Sequence, residues 1–235
     1  MTTPLGGPEL DPRRGIVSFT NRSERITLGQ RRAWDELWPR LGVTLDELGD
    51  APLDLAEWFG RDAPLLVEIG TGMGESTAVL AAAEPDVNYL AVEVYRPGLA
   101  HLLMRGETLG LTNLRLVRGD AVRLLRTNLA PGSVSRIRVF FPDPWPKKRH
   151  HKRRLVEPGF VALAASRLGP GGTLHLATDW EHYADQMLAV CGAEPSLRNV
   201  HSGWAPRPPW RPVTKFEQRA VADGRVVRDL IFERT

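Results

Sequence analysis

The amino-acid sequence predicts an α/β protein built on a doubly wound, mostly parallel seven-stranded sheet with helices on both faces. Three observations carry that expectation. Short β-rich runs alternate with helical stretches from residue 64 onward. A glycine-rich segment, Gly70-Thr71-Gly72-Met73-Gly74, follows directly on the first run. Acidic residues, Glu68, Glu93 and Asp120, stand at the ends of three successive runs.

Residues 1 to about 15 are rich in Pro, Gly and charge and are expected to be disordered. Ala33, Trp34, Leu37, Trp38 and Leu41 recur at helical spacing, which predicts an amphipathic helix over 29–41 that Pro39 ends or bends. Residues 42–62 form a mixed connection with an apolar patch at Leu53, Leu55, Trp58 and Phe59. The chain therefore divides into an N-terminal arm, 1–62, and a domain, 63–235. Within the domain, strands are expected at 65–69, 89–94, 114–117, 134–141, 171–178 and 226–233. Helices are expected at 76–83, 97–109, 121–129, 157–168 and 180–190.

Composition narrows the function classes. Of 235 residues one is cysteine, Cys191, so a disulfide framework and a structural zinc site of four cysteines, or of paired cysteines and histidines, are excluded. The first residues lack the basic and apolar regions of a signal peptide, and no apolar run approaches the ~18 residues of a membrane span. A cytosolic protein without a membrane partner is the expectation. The net charge is +3, yet residues 147–154 hold six positive charges and two histidines, which leaves the remainder at −3. Such a concentrated cationic segment points to a polyanion at a defined place.

The first motif sits between a strand and a helix. Gly70, Gly72 and Gly74 allow a tight turn and close backbone approach by a ligand. Their spacing is not the G-x-G-x-x-G of dinucleotide sites. Glu68 beside the loop repels a pyrophosphate and favours an ammonium group. Glu93, about twenty residues further on, is placed to hydrogen-bond ribose hydroxyls, and Asp120 ends the third strand. A ligand with an amino group, a ribose and an adenine but no phosphate fits this set. S-adenosylmethionine is such a ligand.

The second motif follows the fourth strand. Proline on either side fixes the backbone around Asp143 in Pro142-Asp143-Pro144-Trp145-Pro146, aiming the carboxylate into the crevice. Trp145 offers a flat surface for a base or caps the edge of the core. The cationic run starts at once. Lys148, Arg149, His150, His151, Lys152, Arg153 and Arg154 are thus candidates for contact with a phosphate backbone beside the reacting centre. No metal-ligand pattern is present.

The stretch from Phe140 to Val156, FFPDPWPKKRHHKRRLV, resembles the signature of the bacterial tRNA (guanine-N7-)-methyltransferases. The resemblance covers most of the chain: GQRRA with LWP in the predicted first helix, EIGTGMG at 68–74, TDWE at 178–181 and TKFEQR at 214–219. The segment 19–26 departs from the family's more basic pattern. The resemblance implies a Rossmann-like class I methyltransferase fold. It also implies transfer of methyl from S-adenosyl-L-methionine to N7 of guanine 46 in the variable loop of tRNA. By motif match, Glu68, Glu93, Asp120 and Asp143 would bind the cofactor, with Asp143 also catalytic. Lys147, Asp179, Thr214, Lys215, Phe216 and Glu217 would bind the substrate nucleotide. The partner is tRNA, with no obligate protein partner; a monomer and a homodimer both stay open, and the location is cytoplasmic.

The chemistry agrees with this implication. N7 of guanine carries a free lone pair, so no proton leaves before methylation and no strong base is needed. Alignment and a carboxylate near the purine as it becomes positive are what the reaction requires. Asp143 would act on that charge directly or by accepting hydrogen bonds from guanine N1 and its amino group. Two other readings compete. Transfer to an exocyclic amine of another nucleic acid or a protein suits the Pro-Asp-Pro-Trp turn but not the cationic run. A non-catalytic RNA-binding protein would not need three strand-end acids.

Overall fold

The computed structural model describes residues 18–19 and 24–235. The expected disorder of the first fifteen residues lies outside these. Helix α1 (Leu28–Leu41) starts with a capping box in which the Thr27 side chain accepts from the Gln30 N–H and Gln30 reaches back to Thr27. Pro39 lies in its last turn, and the helix ends two residues later. Strand β1 (Gly42–Thr44) and short helices α2 (Leu45–Leu48) and α3 (Leu55–Phe59) then lead into the alternating region.

That region runs β2 (Leu65–Ile69), α4 (Glu75–Ala83), β3 (Asn88–Glu93), α5 (Arg96–Thr108), β4 (Leu114–Arg118), α6 (Ala121–Thr127) and β5 (Val134–Phe140). A 3-10 helix at Lys148–Arg153 precedes α7 (Pro158–Arg167), β6 (Leu168–Thr178), α8 (Glu181–Gly192), β7 (Leu197–Asn199), α9 (Lys215–Ala222) and β8 (Arg228–Arg234). Among the described residues the eight strands form one sheet in the order β1-β4-β3-β2-β5-β6-β8-β7. Pairing is parallel from β1 to β6 and antiparallel for β6–β8 and β8–β7. The seven-stranded sheet expected from the sequence is thus present with β1 added at its edge.

Alternation along the strands sorts two cores. Leu65, Val67 and Ile69 of β2 face α6, α7 and α8, whereas Leu66 faces α1, α4 and α5. Every residue of β2 is buried, as a central parallel strand covered on both faces requires. Strand order reverses between β2, from which the chain leads outward to β3 and β4, and β5, from which it leads the other way to β6. At such a switch point the loops after neighbouring strands diverge and leave a crevice beyond their carboxyl ends. The motif after β2 and the motif after β5 lie on its two sides.

The sequence reading placed no strand at β1 or β7 and no helix at α2, α3 or α9. The two strands are three-residue edges, too short to show alternation. Helix α9 has eight residues, four of them charged or amide-bearing, and its apolar face is narrow.

Candidate active site

A cavity of about 370 Å³ occupies the crevice, and Glu68, Glu93, Asp120 and Asp143 all line it. Glu68 is 4% exposed. Thr77 Oγ1 donates to its Oε1 at 2.9 Å, while Oε2 is buried with no hydrogen-bond partner among the described residues. Burial pushes its carboxyl above the usual range, against the Thr77 hydrogen bond and the charge of Arg138. An orphaned carboxylate oxygen beside a ligand cavity is a receptor for a cation that hydrogen-bonds.

Gly70, Gly72 and Gly74 have φ of 76°, 56° and 69°, a region open to glycine at little cost. Glu93 fastens this loop. Its Oε2 accepts from the Gly72 N–H at 2.8 Å, and its Oε1 accepts from the N–H groups of Val94 and Tyr95 at 2.7 and 3.0 Å. The α5 helix presses in from behind: a Cβ on Gly98 would lie 1.9 Å from the Gly72 carbonyl oxygen. Asp120 caps α6, accepting from the Val122 N–H at 2.8 Å.

Across the crevice, the backbone around Asp143 is strained. Phe141 and Trp145, on either side of Pro142-Asp143-Pro144, have φ of 51° and 45°. For bulky side chains this costs on the order of 1–3 kcal/mol each, and such strain persists only where the surroundings impose it. The surroundings are identifiable. The Phe141 N–H is held by the Ala177 carbonyl at 2.8 Å. The guanidinium of Arg153 covers the Trp145 ring at 3.9 Å, and Trp145 Nε1 donates to the Ser18 carbonyl at 3.2 Å. Arg154 Nε donates to the Pro144 carbonyl at 2.9 Å.

Arg154 corrects an expectation. It is 2% exposed, donates to Gln186 at 2.6 Å and stacks on Tyr183, so it anchors the turn to α8 and is not exposed with the rest of the run. Lys147, Lys148, Arg149 and Lys152 are exposed, and His150, His151 and Arg153 are partly so. Like charges surround His150 and His151; slight desolvation first, then those charges, hold both below the ordinary histidine range.

Helix α9 closes the third side. Thr214, Lys215 and Phe216 line the same cavity. Lys215 reaches Glu75, the first residue of α4, at 2.9 Å, and that hydrogen bond holds Glu75 below the usual range. Phe216 is 60% exposed. Glu217 departs from its neighbours: it is buried, and both carboxylate oxygens accept from Arg207 and Arg211. Asp179 lies outside this cavity, in a separate depression, paired with Arg225.

The family model described as "Putative methyltransferase" matches residues 62–230. A Streptomyces coelicolor tRNA (guanine-N(7)-)-methyltransferase is 52% identical over 97% of this chain and 86% of its own. Proteins of the same name from Bordetella pertussis and Nitrosospira multiformis are 53% and 50% identical, over 93% and 96% of this chain and 85% and 97% of theirs. The chain belongs to the tRNA (guanine-N(7)-)-methyltransferase family. Among solved structures, the 16S rRNA methyltransferase KamB shares the fold at 17% identity, covering 78% of this chain and 94% of its own, with a TM-score of 0.59. TrmN from Thermus thermophilus does so at 20% identity over 77% of this chain and 48% of its own, with a TM-score of 0.52.

Several residues of this methyltransferase's site escaped the sequence reading. Thr77 holds Glu68, Gly98 admits the glycine loop, and Arg207 and Arg211 carry Glu217. Only Gly98 left a signal: a glycine beside a proline at a helix start, where neither a turn nor a cap needs it. The arginines sit in a Pro-rich loop, and nothing in the sequence distinguishes them from surface arginines.

Proposed function

We propose that this methyltransferase transfers methyl from S-adenosyl-L-methionine to N7 of guanine 46 in the variable loop of tRNA. The observation that carries the reading is the convergence of Glu68, Glu93, Asp120 and Asp143 on one cavity, with an exposed cationic turn directly after the Asp143 loop. The cofactor fits the residues present. The orphaned Glu68 Oε2 suits an ammonium, the positive-φ glycines leave backbone uncovered for close approach, and the acid-lined walls disfavour a phosphate. Glu93 and Asp120 would hold the ribose and adenine sides.

When bound, the cofactor supplies an electrophilic methyl group. The chain's own residues do the rest. Lys147–Arg153, without the buried Arg154, hold the phosphate backbone and bring one guanine to the crevice. Asp143, fixed between prolines, faces the purine as it gains positive charge, and a preorganised carboxylate there costs no reorganisation. No side chain has to take a proton, since N7 already offers its lone pair. Lys147, Asp179, Thr214, Lys215 and Phe216 line the approach of the nucleotide. Glu217 supports them from beneath. The domain over 63–235 carries the reaction, in the cytoplasm and without an obligate protein partner.

Incubation with tritiated adenosylmethionine and bulk tRNA, followed by nucleoside mapping, tests the reading. Label in N7-methylguanosine at position 46 is expected. Label on an exocyclic amine, or on protein alone, would overturn it.

A further inference from the structure

A chain of buried charge runs beneath the α9 wall. His175 Nε2 on β6 lies 2.8 Å from Asp229 Oδ1 on β8. Arg211 Nη2 donates to Asp229 Oδ2 at 3.0 Å and to Glu217 Oε1 at 3.1 Å, and its Nη1 donates to Glu217 Oε2 at 2.8 Å. Its side chain is fully buried, and its guanidinium lies 5.8 and 5.7 Å from the rings of Phe140 and Phe141. One side chain therefore touches the strand end that carries the Asp143 turn, the antiparallel strand β8, and the first turn of α9.

The start of α9 has few other ties. Thr214 caps it, accepting from the Glu217 N–H at 3.1 Å, and Ala220 is its only fully buried apolar residue. Lys215, exposed by 71%, crosses the cavity rim to Glu75. An exposed ion pair of this kind is worth little unless its partners are held in place. Glu217, buried between two arginines, is what holds this one. Burial alone would raise its carboxyl; the hydrogen bonds and charges of Arg207 and Arg211 outweigh that and keep it ionised.

We propose that Arg211 is a positioning residue for methyl transfer: by bridging Glu217 to Asp229 it fixes α9 as the wall of the cavity and lets Lys215 close the rim onto Glu75. Glu217 then serves the site as the buried foot of α9, not as a contact to the target base. The proposal rests on the cofactor cavity described above.

Arginine's planar fork spans two carboxylates, which a lysine ammonium does not reproduce. Arg211→Lys and Lys215→Ala, alone and together, are titrated with S-adenosylhomocysteine by calorimetry, with melting temperatures recorded. Each single change is expected to weaken binding about five- to tenfold. The double variant is expected to be no weaker than the worse single one, because residues acting through one element are not additive. Glu217→Gln repeats the cycle should Arg211→Lys fail to fold. Amide exchange without ligand gives an independent readout: residues 216–222 should exchange faster in Arg211→Lys, with β2, β3 and β4 unchanged. Additive losses, unchanged affinity in Arg211→Lys, or unaltered exchange in α9 each overturn the proposal. Failure of the wild type to methylate tRNA would count against the transfer reading alone, since the exchange experiment needs neither tRNA nor cofactor.

Discussion

The two banks of the crevice are built in opposite ways. On the glycine-loop bank the contacts are backbone groups. Glu93 collects three N–H groups, Gly98 leaves room for a carbonyl, and the charge is acidic. On the facing bank, cations stand on long side chains, the backbone at Phe141 and Trp145 is strained, and arginines tie the turn and α9 from below. A small ligand of fixed shape is matched by fixed backbone, whereas a polyanion of many conformations is met by flexible cations on a rigid base.

The largest expected break falls on the facing bank, at Asp143. Asp143→Asn keeps the shape and removes the charge. Single-turnover methylation with saturating tRNA and cofactor should slow ~10²-fold or more, the scale of losing one preorganised electrostatic group. Affinity for tRNA should hold. A near-normal rate would mean that alignment alone carries the reaction.

Gly98→Ala attacks the glycine-loop bank through its packing. A methyl aimed at the Gly72 carbonyl must move the loop, at ~1–3 kcal/mol. S-adenosylhomocysteine affinity should drop accordingly, by roughly tenfold to a hundredfold. Glu93→Ala should act in the same direction, since it frees the Gly72 N–H as well as removing the proposed ribose contact. Unchanged dissociation constants in both would show the bank to be more compliant than its contacts indicate.

The cationic bank responds to salt instead. Replacing Lys148, Arg149, Lys152 and Arg153 with Ala should flatten the salt dependence of tRNA binding by up to ~0.7–0.9 log units per lost phosphate contact. Cofactor affinity should stay. An unaltered slope would reduce the run to a solvated turn.

The smallest effect is one of pH, and its sign differs across the crevice. His175 is held below its ordinary range, chiefly by burial, so its share of stability is present above ~6.5 and lost as pH falls toward its folded value. Glu217, lowered overall, loses its share further down, as pH falls below ~4.5. Glu68 is raised, so the unliganded protein loses stability as pH rises above ~4.5 through its folded value. Urea unfolding from pH 7.5 to 5.5 should show the decline from His175, and His175→Asn should remove it. A flat profile in the wild type would place that histidine outside the titrating set.

What was legible in the sequence follows the same division. The parallel strands, the helices between them and the four acids announce themselves locally, through alternation, glycines and strand ends. Edges β1 and β7 carry too few residues for a period. Helix α9 owes its place to Arg211 and Glu217, whose pairing depends on a loop folding back, and no spacing rule encodes that. Lys148 and Arg154 look alike in the run, yet one is exposed and the other buried beneath the turn. The difference is set by α8, thirty residues away.

That burial of Arg154 changes how a mutational scan of the run should be interpreted. A deep scan scored by growth or tRNA methylation would rank Arg154 among the most intolerant cations, and an observer would take it for the strongest RNA contact. Its intolerance would come from the Pro144 carbonyl and the Gln186 amide losing their donor at once. A lysine there would be rejected almost as firmly as an alanine, while at Lys148 or Lys152 an arginine would pass unnoticed. Substitution tolerance between the two basic residue types therefore separates the cations that meet a partner from the one that holds the others in place.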